Sequence, residues 1–219
     1  MIKTKQLLLI FIPALLIVIF VFFIRVLEYT SKDDMIIEAP DKNVKKELQI
    51  PIFEDDIIVG NKKAPIQIIA FEDFGCSSCK QQTAVLNKLM EKYPDKIKYI
   101  WKGLAITRFP YSTGLSHKYS YCANEQNKFS EFQELAFNNS EELTKATLDA
   151  ITNVINLNQE KLFDCLSSDR PELNLANNTA LATYLTIQGV PAIFINNKQI
   201  SPPQIIEEWE SVLNLNTSQ

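Results

Sequence analysis

Apolar residues are distributed along this chain in three ways: one long run, several short strand-like clusters, and a middle section at helical spacing. The run comes first. Residues 7–24 are apolar throughout, interrupted only by the uncharged Pro13, and a stretch of about this length spans a bilayer core as a helix. Lys3 and Lys5 precede it and no acidic residue occurs before Glu28. This predicts a cytoplasmic tail over residues 1–6, a transmembrane anchor over 7–27 and the rest of the chain outside. The competing reading is a cleaved signal peptide, which has a shorter apolar region followed by a small-x-small site. Here Arg25-Val26-Leu27-Glu28-Tyr29 follows instead. Either reading exports what comes next. Residues 28–49 are charged and aperiodic and read as a linker, which leaves 50–219 for one domain with its own core.

Ile66-Gln67-Ile68-Ile69-Ala70-Phe71 reads as a buried parallel strand, apolar on both faces, with Pro65 placed before it and not inside it. Cys79, Leu86, Leu89, Met90 and Tyr93 then keep helical spacing until Pro94 stops the helix. Ile97, Tyr99 and Trp101 alternate along a second strand. Strand, helix, strand is a βαβ unit. From about residue 112 to 187 only helical spacing is found. Its stripes are Leu115, Tyr119 and Cys122; Phe129, Phe132 and Ala136; Leu143, Thr147, Ala150 and Val154; and Leu162, Cys165 and Leu166 behind a cap at Asn158. The last is Leu173, Ala176, Ala180, Tyr184 and Ile187, with Pro171 in the first turn and Gly189 at the stop. Strands return at Ala192-Ile193-Phe194-Ile195 and at Lys198-Gln199-Ile200, joined by a tight Asn196-Asn197 turn. A final helix capped by Ser201 carries Ile205, Ile206, Trp209 and Leu213. The order βαβ, helices, ββα predicts an α/β sheet with a helical block inserted in its middle. Phe109, Phe129, Phe132, Trp101 and Trp209 are expected in the core. His117, the only histidine, is expected at an exposed helical position and given no role.

Charge narrows the partners. Leaving Lys3, Lys5 and Arg25 out of 22 basic residues leaves 19 against 26 acidic ones, a net of −7 outside the anchor, which argues against nucleic acid. The chemistry lies in Cys76-Ser77-Ser78-Cys79, at the turn from the first strand into its helix. A thiolate at Cys76 faces the unpaired N–H groups of the helix start, and Cys79 lies one turn on, within reach of a disulfide. A structural zinc site is the rival reading of four cysteines. It calls for a second CxxC, whereas Cys122 and Cys165 are isolated. No metal and no cofactor is expected.

Four segments together resemble the DsbA-like branch of the thioredoxin fold. They are Gly60-Asn61-Lys62-Lys63-Ala64-Pro65 before the first strand, Phe71-Glu72-Asp73-Phe74-Gly75-Cys76-Ser77-Ser78-Cys79-Lys80 at the active-site turn, Tyr121-Cys122-Ala123-Asn124-Glu125-Gln126-Asn127-Lys128-Phe129 in the helical insertion, and Gly189-Val190-Pro191-Ala192-Ile193-Phe194-Ile195-Asn196. The resemblance spans about residues 60–213. It implies a cis bond at Val190-Pro191 beside Cys76, with Val190 free to pair with an extended substrate. It also implies thiol–disulfide exchange on exported cysteine-containing proteins and a quinone-linked membrane partner for re-oxidation. The chain departs from common members in having Ser77 and Ser78 where Pro or His often stands. It also has Ala70 where many carry a buried acid, so that Glu72, Asp73 or water would have to relay the proton.

Cys122 and Cys165 each read as a buried free thiol, or together as a structural disulfide tying the insertion together. The second is favoured in an exported domain with two cysteines beyond the active pair, and some DsbA-like proteins carry such a bridge. The expected protein is therefore a single-pass protein of a bacterial inner or cell membrane, with an extracytoplasmic domain that introduces disulfides as a mild oxidant. A reductase or isomerase on the same fold is the first alternative. A non-catalytic binding or holdase module with a structural Cys76–Cys79 bridge is the second.

Overall fold

The computed structural model describes residues 17–25 and 49–215. The chain divides into a unit of Met1–Lys46 and a unit of Glu47–Gln219. In the first, residues 17–25 are helical with every side chain exposed. The tail predicted over 1–6, the rest of the anchor predicted over 7–27 and nearly all of the linker predicted over 28–49 lie outside the described residues. Among the described residues no helix is long and apolar enough to cross a membrane.

The second unit is built on a five-stranded sheet in the order β1-β3-β2-β4-β5. The strands are β1 (Ile57–Gly60), β2 (Ile66–Glu72), β3 (Ile97–Gly103), β4 (Ala192–Ile195) and β5 (Lys198–Ile200). β2 and β3 run parallel, joined by helix α1 (Ser77–Lys92), and the remaining pairs are antiparallel. The β4–β5 hairpin turns on Asn196 and Asn197, both at positive φ (48° and 67°), as a two-residue turn matching strand twist requires. Between β3 and β4 the chain forms five helices: α2 (Gly114–Glu125), α3 (Phe129–Asn138), α4 (Lys145–Val154), α5 (Gln159–Leu166) and α6 (Arg170–Tyr184). Helix α7 (Ile206–Val212) closes the unit.

Period-two alternation gives β2 two buried faces. Ile68 and Ala70 join Tyr99, Trp101, Leu86, Leu89 and Trp209 in the larger core, which continues into the helical insertion through Tyr119, Phe129 and Phe132. Ile69 and Phe71 face the other way, against Ile100, Phe194, Leu181 and Ala182. On that second face Lys102 is fully buried, and its Nζ donates to both oxygens of Asp56 at 2.7 and 2.5 Å while lying over the Phe53 ring. This pins the segment before β1 across the sheet. Cys122 of α2 and Cys165 of α5 are joined as a disulfide with Cα atoms 5.8 Å apart, both buried.

The structure departs from the sequence pattern in several places. Phe109, expected in the core, is 87% exposed, because it lies on the 104–113 loop and not on a helix. The inward face of α6 carries Pro171, Asn174, Asn178, Leu181 and Ala182, and not the predicted stripe, whose Leu173 and Tyr184 are exposed. Polar pairing explains the rotation: Asn178 Nδ2 donates to Asn174 Oδ1, and Asn174 Nδ2 donates to the Asp55 carbonyl. α6 ends at Tyr184 with Leu185 as its C-cap and Thr186 at φ 53°, ahead of the predicted stop at Gly189. Among the described residues Ser201 caps no helix, the N-cap of α7 being Ile205. Pro202 and Pro203 disfavour the helical region for the residues before them, Ser201 and Pro202, and α7 begins after Ile205.

Candidate active site

β2 ends at Glu72, and the chain turns through Asp73, Phe74 and Gly75 to Cys76, which sits at the N-cap of α1. Three anchors fix this turn. Phe74 is fully buried among Trp101, His117, Phe132 and Phe137. Cys76 N donates to the Asp73 carbonyl at 3.1 Å. Gly75 permits a close approach, since a Cβ there would lie 2.5 Å from Thr107.

Cys76 and Cys79 are joined as a disulfide with Cα atoms 5.2 Å apart. Cys76 is half-buried and Cys79 is not exposed at all. Cys76 Sγ accepts from Cys79 N at 3.1 Å and lies 3.2 Å from Ser78 Oγ. It also lies 3.6 Å from the carbonyl oxygen of Val190, whose bond to Pro191 is cis. The structure thus brings four of the sequence-predicted residues, Cys76, Cys79, Val190 and Pro191, to one place. Cys122 and Cys165 lie apart from them, within the helical insertion.

Two carboxylates flank the turn. Glu72 is fully buried on the same face of β2 as Ala70. Its Oε2 accepts from Thr83 Oγ1 at 2.9 Å and Tyr99 Oη at 2.7 Å, and Oε1 has no partner among the described residues. Burial raises its pKa to about 7, against the opposing effect of the two hydroxyl donors. Thr83 follows Cys79 by one turn on the buried face of α1, so Glu72 lies beneath the segment that holds the inner sulfur.

Asp73 is also buried. Its Oδ2 accepts from Ile106 N at 3.0 Å and Thr107 N at 2.6 Å, while Oδ1 faces His117 Nε2 at 3.1 Å. Burial opposes ionisation, but His117 and the surrounding donors outweigh it and hold the carboxyl well below the usual carboxylate range. His117 is therefore not at the exposed helical position expected for it. It is 5% exposed, in space that Gly103 leaves open, where a Cβ would lie 2.4 Å from its Nδ1. No local pattern reveals this, because the partner of His117 is 44 residues away.

A cysteine pair at a helix start, outer sulfur accessible and inner sulfur buried, at the carboxyl end of a central strand, is the arrangement that thiol–disulfide exchange on a thioredoxin fold requires. Comparison with known proteins agrees. A family model described as thioredoxin matches residues 53–214, and the chain belongs to that family. It is 25% identical over 162 residues to a Na(+)/H(+) antiporter NhaA 3 of Salinispora tropica, covering 74% of this chain and 25% of the antiporter. It is 23% identical over 157 residues to a putative protein-disulfide oxidoreductase of Rickettsia typhi, covering 68% of this chain and 57% of that one. The chain thus spans about a quarter of the antiporter and somewhat over half of the oxidoreductase. Among solved structures, the thiol-disulfide exchange protein alpha-DsbA2 of Wolbachia pipientis superposes with a TM-score of 0.65 at 17% identity, over 74% of this chain and 87% of that one.

Proposed function

We propose that this chain is a membrane-tethered, extracytoplasmic oxidase that introduces disulfides into exported proteins. The observation that carries the reading is the unequal exposure of the two sulfurs, Cys76 half-buried and Cys79 fully buried. A substrate thiolate attacks Cys76 Sγ, the Cys76–Cys79 bond breaks, and Cys79 leaves as a thiolate that takes up a proton. A second substrate thiolate attacks the substrate sulfur of this mixed disulfide, and Cys76 leaves as a thiolate. The substrate loses two electrons and the Cys76–Cys79 pair gains them. Return to the disulfide state falls to a quinone-linked membrane partner, and a tether keeps both in one plane at high effective concentration.

Neighbouring groups fit these steps. Glu72, with its pKa about 7 and its link through Thr83 to α1, exchanges the proton of the inner thiol in place of the side chain that Ala70 lacks. The Val190 carbonyl beside Cys76 accepts a backbone N–H of an extended substrate. Pro191, with no N–H, allows backbone near the sulfurs without adding a donor. Ser77 and Ser78 bring no positive charge, which makes the pair a mild oxidant. Cys122–Cys165, buried away from this site, is a structural bridge.

Two measurements test the reading. A Cys79→Ala variant mixed with reduced, unfolded cysteine-containing proteins should accumulate disulfide-linked adducts through Cys76; a binding module would give none. The reduction potential of the Cys76–Cys79 pair should lie well above the roughly −270 mV of a reducing thioredoxin. A value at or below that level would assign the reductase direction instead.

A further inference from the structure

Asp73 is a buried acid beside the reactive turn to which the exchange steps give no task. Oδ2 accepts from Ile106 N and Thr107 N, and Oδ1 lies 3.4 Å from Gly75 N and 3.1 Å from His117 Nε2. Burial opposes ionisation, but His117 and the surrounding donors outweigh it, so the group is an anion. Among the described residues no lysine or arginine pairs with it, and His117 is its only basic neighbour. The hydrogen bonds alone do not call for a charge, since an amide oxygen accepts from the same backbone N–H groups. Burying an anion with so little cationic compensation is costly, and its field reaches whatever forms a charge nearby.

Cys76 is what forms a charge nearby. Cys76 N donates to the Asp73 carbonyl at 3.1 Å, the closing bond of a turn whose ends lie within roughly 7 Å. Gly75, whose N lies beside Asp73 Oδ1, is bonded directly to Cys76. Buried Phe74 fills the turn and Thr107 lies against Gly75, so protein and not bulk water occupies much of the space between carboxylate and sulfur. Two influences meet at this sulfur. The start of α1, with no acidic residue in its first turn, favours a thiolate, and Sγ accepts from Cys79 N at 3.1 Å. Asp73 acts against it from the turn behind.

We propose that Asp73 is an electrostatic brake on the Cys76–Cys79 pair: its fixed negative charge, clamped by His117 and the 104–113 loop, disfavours the Cys76 thiolate and so lowers the oxidising power of the disulfide. This rests on the thiol–disulfide reading above. Two electrons and one proton, delivered by a dithiol that itself becomes a disulfide, convert the Cys76–Cys79 bond into a Cys76 thiolate and a Cys79 thiol; the second proton of the dithiol goes to solvent. The reduced pair thus carries one negative charge more than the disulfide, and that charge lies beside Asp73. Removing the Asp73 charge stabilises the reduced pair alone. Asp73 makes no hydrogen bond to either sulfur and acts by its charge. A unit charge roughly 8 Å away at an effective dielectric of about 20 changes the equilibrium about thirtyfold, and the N–H groups around Asp73 offset part of this, leaving about tenfold.

Asp73→Asn removes the charge and keeps an oxygen for the loop. The full chain in detergent, equilibrated with mixtures of reduced and oxidised glutathione at a pH where Cys76 is ionised, should shift about tenfold towards the dithiol, a rise of about 30 mV in potential. In the reduced variant the Cys76 thiolate, followed by its ultraviolet absorbance, should form at a pH about one unit lower. Asp73→Ser also removes the charge but gives up the bonds to the loop. It should move both readouts in the same direction, and it carries the test if the amide variant does not fold. Values unchanged in the folded Asn variant, or moved the other way, overturn the brake. So does a change confined to the Ser variant, which would assign the effect to the geometry of the loop. Failure of Cys76–Cys79 to exchange with dithiothreitol would sink the enzymatic reading instead. Reduction by a phosphine followed by titration of Cys76 needs no exchange and keeps the two failures apart.

Discussion

Replacing Glu72 with Gln should remove a pH dependence from the stability of the folded chain. In the unfolded chain this carboxyl titrates near 4.5, and in the folded one burial raises it to about 7. Below pH 4.5 it is protonated in both states and contributes no difference. Between about 4.5 and 7 the unfolded chain loses the proton while the folded chain keeps it. The wild-type chain therefore loses stability as pH rises, at about 1.4 kcal/mol per unit. The shift amounts to about 3 kcal/mol in total, reached by pH 7 and constant above it. Gln keeps a carbonyl oxygen for the Thr83 and Tyr99 hydroxyls. Its amide replaces Oε1, which has no partner among the described residues, at a cost of about 1–3 kcal/mol that does not vary with pH. The readout is consequently the slope of the difference between variant and wild type. Denaturant unfolding of the oxidised chain, followed through the buried Trp101 and Trp209, measures it at steps from pH 4 to 8. Other titrating groups act equally in both proteins and cancel. A difference that stays flat across this range, or that favours Gln most in acid, refutes the argument that Glu72 is held protonated by burial.

Two further outcomes follow from the packing. Changing Cys122 and Cys165 together to Ser opens a bridge spanning 43 residues, which should lower stability by about 4 kcal/mol on the chain-entropy estimate; a denaturation midpoint unchanged by this pair of substitutions would contradict it. Lys102→Met strands the buried Asp56 carboxylate and should cost about 3–5 kcal/mol, while adding Asp56→Leu should recover at least half of that loss; a double variant as unstable as the single one would show that the charge pair is not the cause.

How much of this was legible beforehand depends on the range of the contact. β2, α1, β3, β4 and β5 follow from alternation, helical spacing and turn residues, all local signals. Cys76 and Cys79 are adjacent on one turn, and the Val190–Pro191 segment carries its own motif, so the reactive pair and its neighbour could be named from sequence. The inward face of α6 could not be, because Asn174 and Asn178 are buried by hydrogen bonding where apolar periodicity points them outward. Phe109 was misplaced for the opposite reason, being a large apolar residue kept in solvent on a loop. The partnership of Asp73 and His117, 44 residues apart, exists only once the loop after β3 has closed over the turn, and no spacing within either segment encodes it.

Glu72 pairs with Gly103 at the end of β3, and Phe71 pairs with Ala192 at the start of β4. The helical insertion therefore leaves the sheet and rejoins it on either side of the strand end that carries Cys76. In evolutionary terms the insertion is a cassette with two splice points, both at the reactive sulfur. Exchanging it for another would renew one side of the surface around Cys76 and keep the sheet register, so long as the replacement again supplied buried partners for Phe74 and Asp73, as His117, Phe132 and Phe137 do here. A lineage could thus diversify its clientele without altering the chemistry.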